Sequence, residues 1–179
     1  MEDTNLLLTY LVTLLALLSV AAVLVIRQVY KTRRVEGTLN RLQNKLSKEQ
    51  GAAQEYYELG SLMLDKKLYS QAVIQLKQAL KLLSEDESEQ AAIIYNALGF
   101  AYFAQNQYDL AIRQYKEALE IAPGYVTALN NLGHSYERKQ LIAQSIEAYE
   151  AALSYDPDNK TAKRRAESLR KRMAPAAQE

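Results

Sequence analysis

The sequence predicts an all-α protein: one apolar helix near the N-terminus, a basic helical neck, and a solenoid of three helical hairpins closed by a capping helix. Three observations carry this reading. Residues 6–26 form an apolar run without a charge. The dipeptide Leu-Gly recurs at Leu59-Gly60, Leu98-Gly99 and Leu132-Gly133, with the glycines 39 and then 34 residues apart. Eleven of the 13 tyrosines lie between residues 51 and 159, as expected if a repeated unit uses them. At 179 residues the chain has room for one modest domain and an appendage. Its 22 basic and 21 acidic residues leave a net charge of +1, which excludes a globally polycationic nucleic-acid binder. With no cysteine there is no disulfide, zinc–thiolate site or cysteine nucleophile. His134 is the one histidine, so a clustered-histidine metal site is excluded too.

The acidic start, residues 1–5, leads into the anchor, LLLTYLVTLLALLSVAAVLVI at 6–26. As an α-helix this run spans ~31 Å, which matches a hydrocarbon core of ~30 Å. Thr9, Tyr10, Thr13 and Ser19 are its only polar members, and their hydroxyls can bond back to the helix. A cleaved signal peptide has a basic start and a shorter apolar region. Here Glu2 and Asp3 precede the run, and apolar residues continue past the weak cut site at Ser19-Val20-Ala21, so an uncleaved anchor is expected. Arg27, Lys31, Arg33 and Arg34 follow it. Lys and Arg stay on the cytoplasmic face, which places the N-terminus outside and the rest of the chain inside.

Residues 27–51 form the neck. Within 27–50 it holds seven basic and two acidic residues, net +5. Val35, Leu39, Leu42 and Leu46 recur at helical spacing, with Gly37 and Gly51 weakening the ends. Such a helix is a solvated stalk, or it pairs with a partner helix or lies on anionic headgroups at ~1 kcal/mol per basic residue. The stripe is too short for a coiled coil. The span lacks a Gly-x-x-x-Gly pair, and the sequence assigns no oligomeric state.

The three segments, about 53–86, 92–125 and 126–159, then align. The second supplies Tyr95, Leu98-Gly99, Tyr102, Tyr108, Ala111, Tyr115, Ala118 and Pro123. The third supplies Leu129, Leu132-Gly133, Tyr136, Tyr149, Ala152 and Pro157, with Ser145 where Ala is usual. The first is looser: Tyr56, Leu59-Gly60, Met63, Tyr69, Ala72, Leu76 and Ala79. A helix–turn–helix unit of 34 residues with this pattern is the tetratricopeptide repeat, TPR. Its glycine lets paired helices approach, its alanines mark the crossing, tyrosines fill the space, and Pro123 and Pro157 stop second helices. The five extra residues between the first two repeats fall in the acidic stretch 84–89, where a solvated loop is expected. Ser84 with Glu87, or Asp86 with Glu89, offers a capping box as the other reading. Residues 160–173, within a tail running to 179, read as the polar capping helix, with Ala162, Ala166, Leu169 and Met173 on its apolar face.

The capping segment 160–179 carries +5 and residues 1–26 carry −2, which leaves −7 on residues 51–159. An acidic repeat body argues against nucleic acid in its groove. The first helix of each pair lines the concave side of a TPR stack. Helical spacing puts Tyr57, Ser61 and Leu64, then Asn96, Phe100 and Phe103, then Asn130, His134 and Arg138 on that side. Both phenylalanines of the chain fall in this set. They form a spot for a protein partner, or they pack against the neck or the first repeat. A carboxylate clamp of the chaperone-binding type needs charge at the first-repeat positions, where Tyr57 and Ser61 stand. No phosphate loop, nucleophile–base set or metal motif appears, so no enzyme activity, cofactor or metal is expected.

The layout as a whole adds a resemblance. The acidic start, the anchor ending IRQVYKTRRVE, the neck NRLQNKL and the first repeat YYELGSLMLDKKLYSQAVIQLKQALK resemble the TPR membrane proteins of cyanobacteria and plastids that assist photosystem I assembly. The resemblance implies a thylakoid protein with its repeats on the cytoplasmic or stromal face. It would scaffold photosystem I subunits or assembly intermediates without catalysis. The alternative is a bacterial membrane-anchored TPR adaptor for envelope biogenesis or secretion, which shares the fold and differs in partner.

Overall fold

The computed structural model describes residues 2–173; the side chains of residues 2–9, Lys31 and Glu85 lie outside that description. Thr9 and Lys31 are therefore placed by backbone alone, and tail residues 174–179 also lie outside the described residues. The chain divides into two compact units, Met1–Lys48 and Glu49–Glu179.

The first unit is a single helix, α1 (Glu2–Leu46). Anchor and neck are one element, because nothing between them stops a helix. Gly37 costs only about 1 kcal/mol of helix propensity, too little to end the helix. The hydroxyls of the apolar run do bond back. Thr13 Oγ1 donates to the Tyr10 carbonyl at 2.9 Å and Ser19 Oγ to the Leu15 carbonyl at 2.8 Å. From Tyr10 to Ile26 every side chain is exposed. The helix is long and apolar enough to cross a membrane.

The second unit is three helix pairs and a cap. The pairs are α2 (Ala53–Asp65) with α3 (Tyr69–Leu82), α4 (Ser88–Ala104) with α5 (Tyr108–Ile121), and α6 (Val126–Arg138) with α7 (Ile142–Tyr155). The cap, α8 (Lys160–Met173), packs on α7. Each pair also packs on the next through α3–α4 and α5–α6. First helices touch one another, α2 with α4 and α4 with α6, and among the described residues no second helices approach to the same extent. The row therefore curls with its first helices inside.

Glycine sets the closeness of each pair. A Cβ on Gly99 would lie 2.5 Å from Tyr115 Cε1, and one on Gly133 would lie 2.9 Å from the Tyr149 ring. Ala72, Ala111 and Ala118 are fully buried at the crossings, as the repeat pattern requires. Ser145, at an alanine position, is also fully buried, and its hydroxyl donates to the Gly133 carbonyl at 2.7 Å. Ala122 and Asp156, each just before a proline, leave the helical region and end α5 and α7.

Two expectations change. The acidic stretch is a 3₁₀ turn at Glu85–Glu87 that runs straight into α4. The Ser84 amide donates to Glu87 Oε2 at 2.9 Å, and the Ser84 hydroxyl to the same oxygen at 2.8 Å. The Ser84–Glu87 capping box supplies local bonds that a plain loop would lack, and both bonds hold the Glu87 carboxyl below its ordinary pKa. In α8, Ala162, Ala166 and Leu169 are buried, but Met173 is 54% exposed. It sits one turn beyond the last core position, where α7 no longer covers the cap.

Candidate partner-binding groove

The turn between the two helices of each pair positions the inner face. Lys67, Asn106 and Gln140 adopt φ near 60°, the left-handed conformation. They hold one position in the three repeats, seven residues after the Leu-Gly glycine. Around them the Leu68 amide bonds the Met63 carbonyl at 2.8 Å, Gln107 the Tyr102 carbonyl at 3.0 Å, and Leu141 the Tyr136 carbonyl at 2.9 Å. This six-to-one closure ends the first helix and reverses the chain within three residues. It brings Tyr69 and Tyr108, the first residues of α3 and α5, beside the inner face.

Of the nine residues expected on that face, Phe100 and Arg138 are exposed and the other seven half-buried. Asn96 joins neighbouring pairs. Its Nδ2 donates to the Tyr125 hydroxyl at 3.2 Å, and its Oδ1 accepts from Asn131 Nδ2 at 3.0 Å. Tyr57 faces the same Tyr125 phenol. Burial, then the electrostatic influence of Tyr57, raise that phenol's pKa, against the bond from Asn96. A cleft of about 190 Å³ beside Tyr57, lined also by Gln54, Gln90, Ile93 and Ile94, extends this uncharged end. Ser61 has no hydrogen bond to the set among the described residues.

The two phenylalanines do not form one patch. Phe100 is 43% exposed and meets the Tyr69 ring edge-on, centroids 6.4 Å apart. Phe103 packs against the cluster of Tyr102, Ala111, Tyr115, Leu132 and Ala148. Its ring lies 4.7 Å from His134 and 5.4 Å from Tyr108. The Arg138 guanidinium stands 5.0 Å over the Tyr108 ring. Burial lowers the His134 pKa below its ordinary value; Arg165 and Arg138 lower it further, and Glu137 opposes them. The lowered pKa favours the neutral imidazole, which lies against the Phe103 ring.

Glu137 ties the last three helices together. It accepts from the Tyr149 hydroxyl at 2.6 Å and from Arg165 Nη1 at 3.2 Å. Burial first, and then the bond to Glu137, drive the Tyr149 phenol far above its ordinary pKa. Reading first helices alone missed Tyr69, Tyr108, Tyr125 and Arg165. The shared repeat position of Tyr69 and Tyr108 could have signalled them. Arg165 sits among the basic residues of the cap, with no pattern to single it out.

No group of three or more His, Asp or Glu side chains able to hold a metal ion occurs among the described residues. What the face offers is aromatic edges, amide groups and a stacked arginine, which are means of holding another molecule. Stacked helix pairs with such an inner face define a TPR protein, a protein-interaction scaffold.

Comparison with known proteins agrees. A TPR repeat model matches residues 99–140, and a tetratricopeptide repeat model matches residues 126–159. The chain is 39% identical over 166 residues to the chloroplastic tetratricopeptide repeat domain-containing protein PYG7 of Arabidopsis thaliana, covering 93% of this chain and 55% of that protein's length. It is 36% identical to the protein ycf37 of Cyanophora paradoxa, covering 90% of this chain and 94% of the other, and 37% identical to ycf37 of Guillardia theta over 78% and 79%. Among solved structures, MamA superposes with a TM-score of 0.71 at 23% identity, over 79% of this chain and 80% of MamA. The Arabidopsis OM64 TPR domain gives 0.63 at 24% identity, over 68% and 97%. The chain belongs to the ycf37 family of TPR proteins.

Proposed function

We propose that this protein is a membrane-anchored scaffold that holds photosystem I subunits or assembly intermediates on its inner TPR face. One observation carries the reading: relatedness over 90–93% of this chain to the chloroplastic TPR protein of Arabidopsis thaliana and to ycf37 of Cyanophora paradoxa. The helix α1 supports the anchor, since an apolar run of 21 residues with no polar stripe is solvated by lipid and not by water. Arg27, Arg33 and Arg34 after the run, with Glu2 and Asp3 before it, orient the repeats toward the cytoplasm or stroma. An anchor confines the repeats to a bilayer surface and raises their effective concentration near nascent membrane subunits. The groove binds and orients; nothing in it asks for catalysis.

The test is co-purification. The chain is tagged at its C-terminus in the native host, membranes are solubilised gently, and captured proteins are identified by mass spectrometry. Photosystem I subunits should be enriched, and the Phe100→Ala variant should lose at least about fivefold of that enrichment, as exposed aromatic anchors do. Phe100 is the clean position, because Phe103 supports the core. Envelope or secretion proteins in place of photosystem subunits would assign the alternative adaptor role.

A further inference from the structure

The cap α8 is the most basic helix of the repeat unit, and its basic residues are used unequally. Arg165 is bonded to Glu137 and Arg170 to Glu150. Lys160, Lys163, Arg164, Lys171 and Arg172 are exposed and make no ion pair among the described residues. Helical spacing puts Lys160, Lys163, Arg164 and Lys171 within an arc of about 100°, opposite the buried Ala162, Ala166 and Leu169. From Lys160 to Lys171 this face is ~17 Å long. Against its four cations stand Glu167 on the same face and Asp158 just before the helix, so the excess stays positive.

Neither the stack nor the helix accounts for these charges. A solvated cap needs a polar outer face, which neutral side chains supply as well. The helix dipole favours Arg170, Lys171 and Arg172 in the last turn. It disfavours Lys160 and Lys163 at the other end, where the first turn holds no acidic residue. The cap there is Asn159, whose Oδ1 accepts from the Ala162 amide at 2.9 Å. Lys160 and Arg164, one turn apart, also repel each other. Unpaired cations set against the dipole weaken the helix that holds them, and a local cost of this kind marks a surface kept for an anion outside the unit. Residues 51–159 carry −7 and repel an anionic surface, so α8 is the part of the unit that can meet one. The charge complement is a sheet of lipid headgroups: α1 is long and apolar enough to cross a bilayer, so such a sheet is at hand.

We propose that α8 is a second membrane contact, its face of Lys160, Lys163, Arg164 and Lys171 resting on anionic headgroups of the bilayer that holds α1. This rests on the anchoring part of the scaffold reading and goes beyond it. The contact is electrostatic and shallow, because the face has no apolar residue to insert. A single tether limits how far the repeats stray. A second contact, at the last pair of the stack, also limits how they turn, and so gives the inner face a fixed aspect toward the membrane.

The chain contains no cysteine, so one placed at Ser168, exposed at the edge of this face, carries a fluorophore alone. Full-length Ser168→Cys is reconstituted in nanodiscs of phosphatidylcholine, with and without phosphatidylglycerol, each doped with a headgroup-nitroxide lipid. Quenching should be at least about threefold greater in the anionic discs and should fall to the neutral level in about 0.5 M salt. Lys160→Gln, Lys163→Gln, Arg164→Gln and Lys171→Gln together should also bring it to the neutral level, with the melting temperature not lowered, since all four side chains are exposed and unpaired. Equal quenching in the two discs, or a lipid dependence that survives the four substitutions, would overturn the proposal. Binding of a short single-stranded RNA in neutral discs without quenching in anionic ones would overturn it too, and assign the face to nucleic acid. The two readings fail separately. Photosystem subunits captured by a chain whose quenching is equal in both discs would leave the scaffold standing without this contact. A lipid dependence in a chain that captures no photosystem subunit would do the reverse.

Discussion

At the scale of single residues, glycine and histidine carry the sharpest consequences. Gly37 and Gly99 are both helical, and helix propensity alone says that alanine should stabilise each by up to about 1 kcal/mol. Their surroundings reverse that for one of them. Nothing lies within 4 Å of a Cβ at Gly37, whereas a Cβ at Gly99 would lie 2.5 Å from the ring of Tyr115, itself 1% exposed. A buried ring cannot give way, so overpacking of about 1–3 kcal/mol outweighs the helix gain. Thermal denaturation should show Gly99→Ala melting below the wild type, and Gly37→Ala not below it. An unchanged or raised melting temperature in Gly99→Ala would mean that the pair can open without loss. His134 gives a pH dependence whose sign follows from its lowered pKa. The unfolded chain binds this proton near pH 6.5 and the folded chain only at lower pH. Stability from the neutral imidazole is therefore present above about 6.5 and is lost as the pH falls through that value toward the folded pKa. Urea midpoints measured from pH 7.5 down to pH 5 should decline, and His134→Gln should flatten the decline in that window.

At the scale of elements, the cap is tested through Leu169. It is 2% exposed and shares a cluster with Leu129, Tyr149, Ala152, Ala162 and Ala166, so α8 covers the apolar end of the third pair. Leu169→Ala should cost about 2–5 kcal/mol, with the loss felt first in α6 and α7, because a linear repeat array is stabilised by nearest neighbours. Hydrogen exchange that rises equally in α2 and α3 would contradict that locality. The helices themselves were legible in the sequence, because Leu-Gly and its flanking tyrosines mark a first helix wherever they occur and a proline marks where a second one stops. The left-handed turns at Lys67, Asn106 and Gln140 were not legible, since none of the three is glycine and only the closure bonds around them reveal the conformation. The continuity of α1 was obscured because the change from apolar to basic composition at residue 27 separates anchor from neck, yet neither that change nor Gly37, which weakens the helix, ends a helix of 45 residues. The inner face was half legible. Spacing puts nine side chains on it, but spacing within one helix cannot show that Phe103 turns toward the core, or that second-helix Tyr108 supports Arg138.

At the scale of the whole molecule, the charge pattern and the apolar helix divide the labour. The repeat body is acidic between two basic segments, and α1 presents apolar side chains on every side from Tyr10 to Ile26. On the proposed reading the anchor contributes no recognition; it contributes concentration. A site tethered at a membrane meets a membrane-bound partner at an effective concentration that a freely diffusing copy does not reach. This separates two roles that a simple truncation would confuse. Replacing residues 6–26 by an unrelated apolar span of the same length, with Glu2, Asp3 and the basic neck retained, should preserve membrane fractionation, orientation and capture of partners. Deleting the span should release the chain from salt-washed membranes and weaken capture steeply, while leaving the groove itself intact, because the groove is built entirely from α2–α8. Fractionation, protease accessibility and co-purification on the same three strains would check this. If the unrelated span restored membrane association but not capture, α1 would itself be part of the recognition surface, and the partner would have to be read within the bilayer.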